Sequence, residues 1–353
     1  MKLALLCDSH FGARSDSKTY LEHQAKFFSD VFFPTLEEYR IDTVLHLGDI
    51  FDRRKYINFF TLKRAREFFF DELKARNIEM HAILGNHDTF FTTTNEINSV
   101  ALLLNEYNNI HIYESKPIEL DFGSTRILMC PWLVKDAIED VVRTLKASTA
   151  HILCGHFDLK GFEMMKGVVS DHGIDHKEFS HFEAVYSGHY HHPSQYGNIK
   201  YLGAQYEMNW SDYGSKRGFY LLDTETRALT FIENENKIYH KIDYDDSDLT
   251  IDEVVALDTS TLKDCYIKVI VKNRTNPYLY DMFLNRLNEC GAADVKSIED
   301  SLNITSTGVD DILNEAKDTK DILHSYIDSV ETKVDKKYIK NIVDELYQEA
   351  LNL

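Results

Sequence analysis

The sequence predicts an α/β protein, followed by a small α+β unit and a helical C-terminus. Three observations carry that expectation. Five short apolar runs each end in a cluster of Asp, His or Asn beside a glycine. Stretches of helical periodicity separate the first of these runs, which points to strands alternating with helices in an α/β sheet. Beyond about residue 198 the pattern changes to short strands and turns, and helical periodicity returns near the end.

Taken in order, the first strand is expected over 2–7, leading into Asp8-Ser9-His10, and a helix roughly over 18–40. A strand over 43–47 ends in Gly48-Asp49, with helix over 58–76. A strand over 80–84 ends in Gly85-Asn86-His87-Asp88, with helix over 95–106. Strands over 151–154 and 184–187 end in Gly155-His156 and Gly188-His189-Tyr190-His191. Further strands are expected over 200–202, 219–222 and 229–232, the last two joined by a turn at 223–226. The acidic stretch 243–253 reads as a linker. A small unit follows: strand 266–272, helix 279–290, strand 294–298. Two amphipathic helices close the chain, one with Val309, Ile312, Leu313 and Ala316 near one face, the other with Val334, Tyr338, Ile342, Leu346 and Ala350 at four-residue spacing. The regions expected are therefore 1–242, 250–303 and 305–353.

The chain has 353 residues, 43% hydrophobic and 27% charged, the balance of an ordinary globular protein of two domains or one with an appendage. Its five cysteines are scattered and form no Cys-x-x-Cys pair, which argues against a disulfide framework or a thiolate zinc site. The short apolar run after Met1-Lys2 is too brief for a secretory segment, and no run approaches the roughly 18 residues of a membrane span. The expectation is a soluble cytoplasmic protein with no membrane partner. A formal net charge of −19 excludes a simple DNA-coating protein. The acidity is concentrated late: residues 241–353 hold 13 Lys and Arg against 24 Asp and Glu.

The chemistry is expected at the strand ends: Asp8 and His10, Asp49, Asn86 and His87, His156, His189 and His191. In an α/β sheet such positions gather at one edge, where ligands bind. A mixed Asp/His/Asn shell suits Mn²⁺, Zn²⁺ or Fe²⁺ better than Ca²⁺ or Mg²⁺. Two metals roughly 3.5–4 Å apart need a bridging ligand, which a carboxylate supplies, and the pair promotes in-line attack on phosphorus. Each motif alone reads equally as a turn Asp or a packed His. The ordered set of five, each at the end of an apolar run, is what argues for a site. His46, His81 and His151 read as packing histidines, and His172, His176 and His181 as solvated ones.

This set resembles the calcineurin-like metallophosphoesterase superfamily. Asp8-Ser9-His10-Phe11-Gly12, His46-Leu47-Gly48-Asp49-Ile50-Phe51-Asp52 and Leu84-Gly85-Asn86-His87-Asp88 narrow the resemblance to the SbcD/Mre-type DNA repair nucleases. The segments Cys154-Gly155-His156-Phe157 and Tyr186 to His191 resemble phage members of that family. The resemblance covers about 1–240 by motif and the rest by organisation. It implies a four-layer α/β/β/α sandwich, a DNA-binding capping domain over 250–303, and helices over 305–353 that dock on an SbcC/Rad-type ATPase subunit. It implies two Mn²⁺, with Mg²⁺ able to take part. One is held by Asp8, His10, Asp49 and His191, the other by Asp49, Asn86, His156 and His189. His87 contacts the scissile phosphate and protonates the leaving oxygen, and Asp88 orients His87. The implied activity is duplex exonuclease and single-strand endonuclease. The chain departs from the pattern at Asp52, where some relatives have histidine, and at Gly203-Ala204-Gln205.

An acidic chain that holds DNA needs local cations. Arg14, Arg53, Arg54, Lys55, Lys160 and Lys166 follow the motifs and are expected to line the DNA groove. Phe59, Phe60, Phe68, Phe69 and Phe70 are more aromatic surface than one helix needs, and with the resemblance they imply a homodimer. The alternatives are another phosphoesterase of the superfamily, such as a protein phosphatase or nucleotide phosphodiesterase, and a non-catalytic scaffold. The terminal helices and the small unit disfavour the first, and the intact motifs disfavour the second.

Overall fold

The computed structural model describes residues 1–134, 137–165, 168–170, 173–299, 336 and 340. Strands β1 (Lys2–Leu6), β2 (Thr43–His46), β3 (Glu79–Ile83) and β4 (Ile110–Tyr113) run parallel. On the other side of β1 the sheet continues antiparallel through Arg217–Asp223 and Leu229–Asn234, making six strands. Alternation along β1 explains its unbroken apolar run. Leu3 and Leu5 face an inter-sheet core with Leu45, Ile127, Met129 and Ile152, while Ala4 and Leu6 face a core of Phe27, Phe28 and Phe69. A strand buried on both faces has no polar side to show.

The second six-stranded sheet is built on the parallel strands Arg126–Cys130, Ile152–His156, Ala184–Gly188 and Ile199–Tyr201, with antiparallel edges at Ile118–Asp121 and Ser194–Tyr196. Its other face packs on Leu145, Phe157, Phe179 and Phe182. The α/β expectation is borne out. Several elements lie outside the expected set, among them β4, the strands Ile118–Asp121 and Arg126–Cys130, and the helix Ile138–Ala147. The edge strand Ile118–Asp121 is largely exposed and has no strong apolar signature, whereas the helix sets Ile138, Val141, Val142 and Leu145 on one face, a pattern legible in the sequence.

The helices expected over 18–40 and 58–76 form, but each is interrupted by a wide turn, at Phe28–Phe32 and Arg66–Phe70. Pro34 lacks an N–H, and the Phe33 N–H returns to the Phe28 carbonyl. Side chains of Ser17, Asn58 and Asn98 accept from Tyr20, Phe60 and Ala101 N–H groups and set the helix starts. Phe68, Phe69 and Phe70 pack against Phe11, with ring centroids 5.4–5.9 Å away. Three of the five phenylalanines read as dimer surface thus serve their own core. Phe59 and Phe60 stay exposed.

The stretch 243–253 is not simply a linker. Strand Tyr239–Asp245 pairs in parallel with Tyr266–Asn273, and Thr250 caps the helix Ile251–Val255. The expected boundary at 242 therefore falls inside a strand. With helix Pro277–Glu289 and strand Asp294–Glu299, these elements enclose a core of Tyr244, Val269, Leu279 and Phe283. The docking helices expected over 305–353 lie outside the described residues, except Lys336 and Lys340.

Candidate metal centre

Five parallel strands, three from the first sheet and two from the second, deliver the five motifs to one place. Asp49 Oδ2 lies 3.5 Å from His10 Nε2 and 3.3 Å from His156 Nε2. On one side, His191 Nε2 is 3.0 Å from His10 Nε2, with Asp8 in the same cluster. On the other, Asn86 Oδ1 is 3.1 Å from His156 Nε2 and 2.9 Å from His189 Nδ1. All seven residues expected to hold metal converge, in two clusters that share Asp49. His87 stands beside them, its ring centroid 4.8 Å from that of His10.

The backbone is bent to achieve this. Asp8, His10, Asp49 and His189 all have positive φ, between 44° and 91°. Non-glycine residues adopt that region at a cost, and such outliers gather at functional sites. The glycines make room: Gly48 has φ 90°, and a Cβ on Gly85 would meet the Asp49 carboxylate at 2.1 Å.

The donor set fits divalent cations. Asp8 Oδ2 is buried without a hydrogen-bond partner. Buried carboxylates demand positive charge. Burial lowers the pKa values of His10 and His156, but neighbouring carboxylates, Asp52 and Asp49 foremost, outweigh it and raise both to about 9. Burial raises Asp49, yet the His156 charge and hydrogen bond hold it well below the usual carboxylate range. Burial leaves Asp8 raised and lowers His189 to about 3. Burial and the His10 charge also lower His191. His156 Nδ1 lies 2.7 Å from the Leu47 carbonyl and donates to it, which turns Nε2 toward the site.

Asp88 corrects the expectation. It does not orient His87. Its carboxylate accepts four backbone N–H groups, from Gly85, Asp49, Ile50 and Phe51, at 2.8–3.2 Å. The side chain turns back under its own loop and ties motif three to motif two. Burial and the Asp49 charge push its pKa up to about 7. His87 Nδ1 instead donates to the Asp52 carbonyl at 2.6 Å.

Several residues support the centre in roles not read from the sequence. Asp52 Oδ1 is 3.3 Å from His10 Nδ1, so the position where some relatives have histidine braces a metal residue here. Ser9 Oγ meets His46 Nε2 at 2.8 Å and Gln205 Nε2 at 3.1 Å, and Gln24 donates to the Ser9 carbonyl at 2.8 Å. Gln205 thus gives the departure at 203–205 a local role. Buried Arg217 donates to the His191 carbonyl and pairs with Asp212. Its sequence signal was its place in Arg217-Gly218-Phe219, which fits the family resemblance after the departure at 203–205.

The expected DNA contacts divide. Arg14 donates to Tyr239 Oη at 2.9 Å and lies over the Tyr266 ring, which ties it to the small unit. Arg53 pairs with Asp16 at 3.7 Å and lies over the Tyr56 ring. Half-buried Arg54 feels the Asp49 charge. Lys55 and Lys160 are exposed, and Lys166 lies outside the described residues.

Two packed sheets that gather Asp, His and Asn side chains around Asp49 are the arrangement of a metallophosphoesterase. The chain belongs to the calcineurin-like phosphoesterase superfamily, whose domain model matches residues 1–170. It is 32% identical over 244 residues to exonuclease subunit 1 of Enterobacteria phage T4, covering 69% of this chain and 71% of that protein. The SbcD/Mre-type resemblance is borne out. A solved structure described as a novel archaeal phosphodiesterase is similar at 14% identity and a TM-score of 0.34, over 66% of this chain and 100% of that one. Among the described residues no helix is long and apolar enough to cross a membrane.

Proposed function

We propose that the chain is a Mn²⁺-dependent DNA nuclease, a duplex exonuclease and single-strand endonuclease. We assign it as the nuclease subunit of an SbcCD/Mre–Rad-like complex in double-strand-break repair and recombination. The observation that carries the reading is Asp49 Oδ2 standing between His10 Nε2 and His156 Nε2, at 3.5 and 3.3 Å. The likeness to a phage exonuclease subunit supports DNA as the substrate.

Asp8, His10, Asp49 and His191 would hold one cation, and Asp49, Asn86, His156 and His189 the other. Such a pair, when bound, lowers the pKa of water and offsets charge on a reacting phosphoryl group. The chain's own residues do the rest. Asp52 and the Leu47 carbonyl orient His10 and His156. His87, its Nδ1 committed to the Asp52 carbonyl, presents Nε2 to the scissile phosphate and gives a proton to the leaving oxygen. With Nδ1–H bound to that carbonyl, Nε2 can give a proton only from the imidazolium form, which burial disfavours and the Asp49 charge favours. Arg53, Arg54, Lys55, Lys160 and Lys166 hold DNA phosphates, and no base-reading motif is involved.

Tyr56, Phe59 and Phe60, 58%, 88% and 39% exposed, form the homodimer contact. Residues 305–353 dock on the ATPase subunit. The test is incubation with linear duplex and circular single-stranded DNA, with and without Mn²⁺, comparing wild type with His87→Ser. Both substrates are cut only with Mn²⁺ and by the wild type. Unchanged cleavage by His87→Ser would overturn the mechanism.

A further inference from the structure

We propose that a cavity flanking the His156–His189 side of the centre is a nucleobase subsite, which takes an unpaired base of the strand being cut, with Trp132 as the stacking residue. The proposal rests on the nuclease reading above.

The cavity has a volume of about 1020 Å³, room for a base and its sugar, and reaches the metal residue His156. Trp132 lines it, and the indole also touches the centre. Its ring centroid is 5.2 Å from that of His189 and 5.9 Å from that of His156. A ring stacked on Trp132 is therefore one residue away from the cations. Leu133, Val142, Phe157 and Ile174 add apolar wall beside it.

Charge decides which part of a nucleotide belongs there. Glu139, Asp158, Asp175 and Glu178 line the cavity against only Arg143 and Lys146, and Lys146 is already paired with Glu178. That balance repels a second phosphate and suits an uncharged ring whose N–H groups find acceptors. The phosphate belongs on the metal side, the base on this one.

The entry carries its own signal. Thr92 and Thr93 line the cavity on the loop that follows His87-Asp88. That loop also holds Phe90 and Phe91, 38% and 45% exposed, with ring centroids 4.7 Å apart. Aromatic rings in water beside an aromatic-walled cavity supply the stacking element of a single-strand platform; the positive charge such platforms also need belongs to the metal side, not to this acidic cavity. A base within a duplex stack cannot enter; it must first leave the stack, as in enzymes that extrude a nucleotide.

The chain has two tryptophans, Trp132 and Trp210, so Trp210→Phe leaves Trp132 as the only indole. The probes are a single-stranded oligo-dA, the same strand abasic at its central positions, and a blunt hairpin duplex, each added to the full chain with Ca²⁺ in place of Mn²⁺. Oligo-dA should quench Trp132 fluorescence and bind about ten-fold more tightly than the abasic strand, the scale of one stacked base. The hairpin, whose stem bases are paired, should quench less than oligo-dA. Trp132→Ala should bring the two affinities together by anisotropy, and Trp132→Phe should largely keep them apart. Equal binding of the abasic strand, or a preference untouched by Trp132→Ala, overturns the subsite while the nuclease reading stands. If no DNA binds while bis(p-nitrophenyl) phosphate is still hydrolysed, the nuclease reading falls and takes the subsite with it.

Discussion

Gly85→Ala tests how the centre is assembled without touching a ligand. A Cβ at residue 85 would lie 2.1 Å from Asp49 Oδ1 and 2.3 Å from the Asp49 backbone nitrogen. Rotating the Asp49 side chain relieves the first contact but not the second. Ordinary contact for a Cβ begins near 3.4 Å, so one of the two motif loops must retreat by about 1 Å. Asp49 stands beside both candidate metal clusters, and the Gly85 N–H also holds Asp88 at 2.8 Å. A misplacement of about 1 Å costs on the order of 100-fold in rate, equivalent to about 2.7 kcal/mol of barrier. The assay is kcat/KM for bis(p-nitrophenyl) phosphate across a Mn²⁺ titration, with thermal melting alongside. We expect at least that loss, and weaker apparent metal binding, in a protein that still melts cooperatively. Wild-type activity and metal affinity in Gly85→Ala would refute the packing argument.

Asp88→Asn should behave as a folding variant of the site. Its amide NH₂ would face two of the four backbone donors, and each donor left unsatisfied costs about 1–3 kcal/mol, read as a lower Tm together with lost metal binding. Asp52→Asn should weaken Mn²⁺ affinity about ten-fold or more, measured by calorimetry, because braces of metal-ligating histidines carry that much. Arg40 ends the helix Phe33–Tyr39 at φ 56°, so Arg40→Gly should raise stability by about 0.5–1 kcal/mol in denaturant melts. His23 is held neutral by burial, with Lys26 and Lys237 nearby, and its pKa falls to about 4 from an ordinary 6.5. The unfolded chain therefore takes up that proton first. The stability His23 contributes is present above pH 6.5 and is lost as pH falls toward 4, and His23→Gln should flatten the stability–pH slope in that window.

The residues of the candidate metal centre were legible because each stands at the end of a strand buried on both faces, and that pattern is local. The same holds for β1, β2, β3, Ile152–His156 and Ala184–Gly188. Edge strands such as Ile118–Asp121 left no such mark, since an exposed strand needs no apolar run. Asp88 was misread for a related reason. Its sequence neighbour is His87, but its partners lie on the motif-two loop, 37 to 39 residues away, except for Gly85.

The sequence by itself determined the residue types of the centre, their order, and the α/β class, because strand periodicity and glycine-flanked Asp, His and Asn are properties of short segments. Only the tertiary structure decided that Asp49 stands between two histidines, that Asp88 serves the backbone, that Arg14 turns to the small unit, and that Trp132 faces a cavity beside the ligands. Each of these joins segments far apart in the chain. Their geometry follows from how two sheets pack, which no local window of residues encodes.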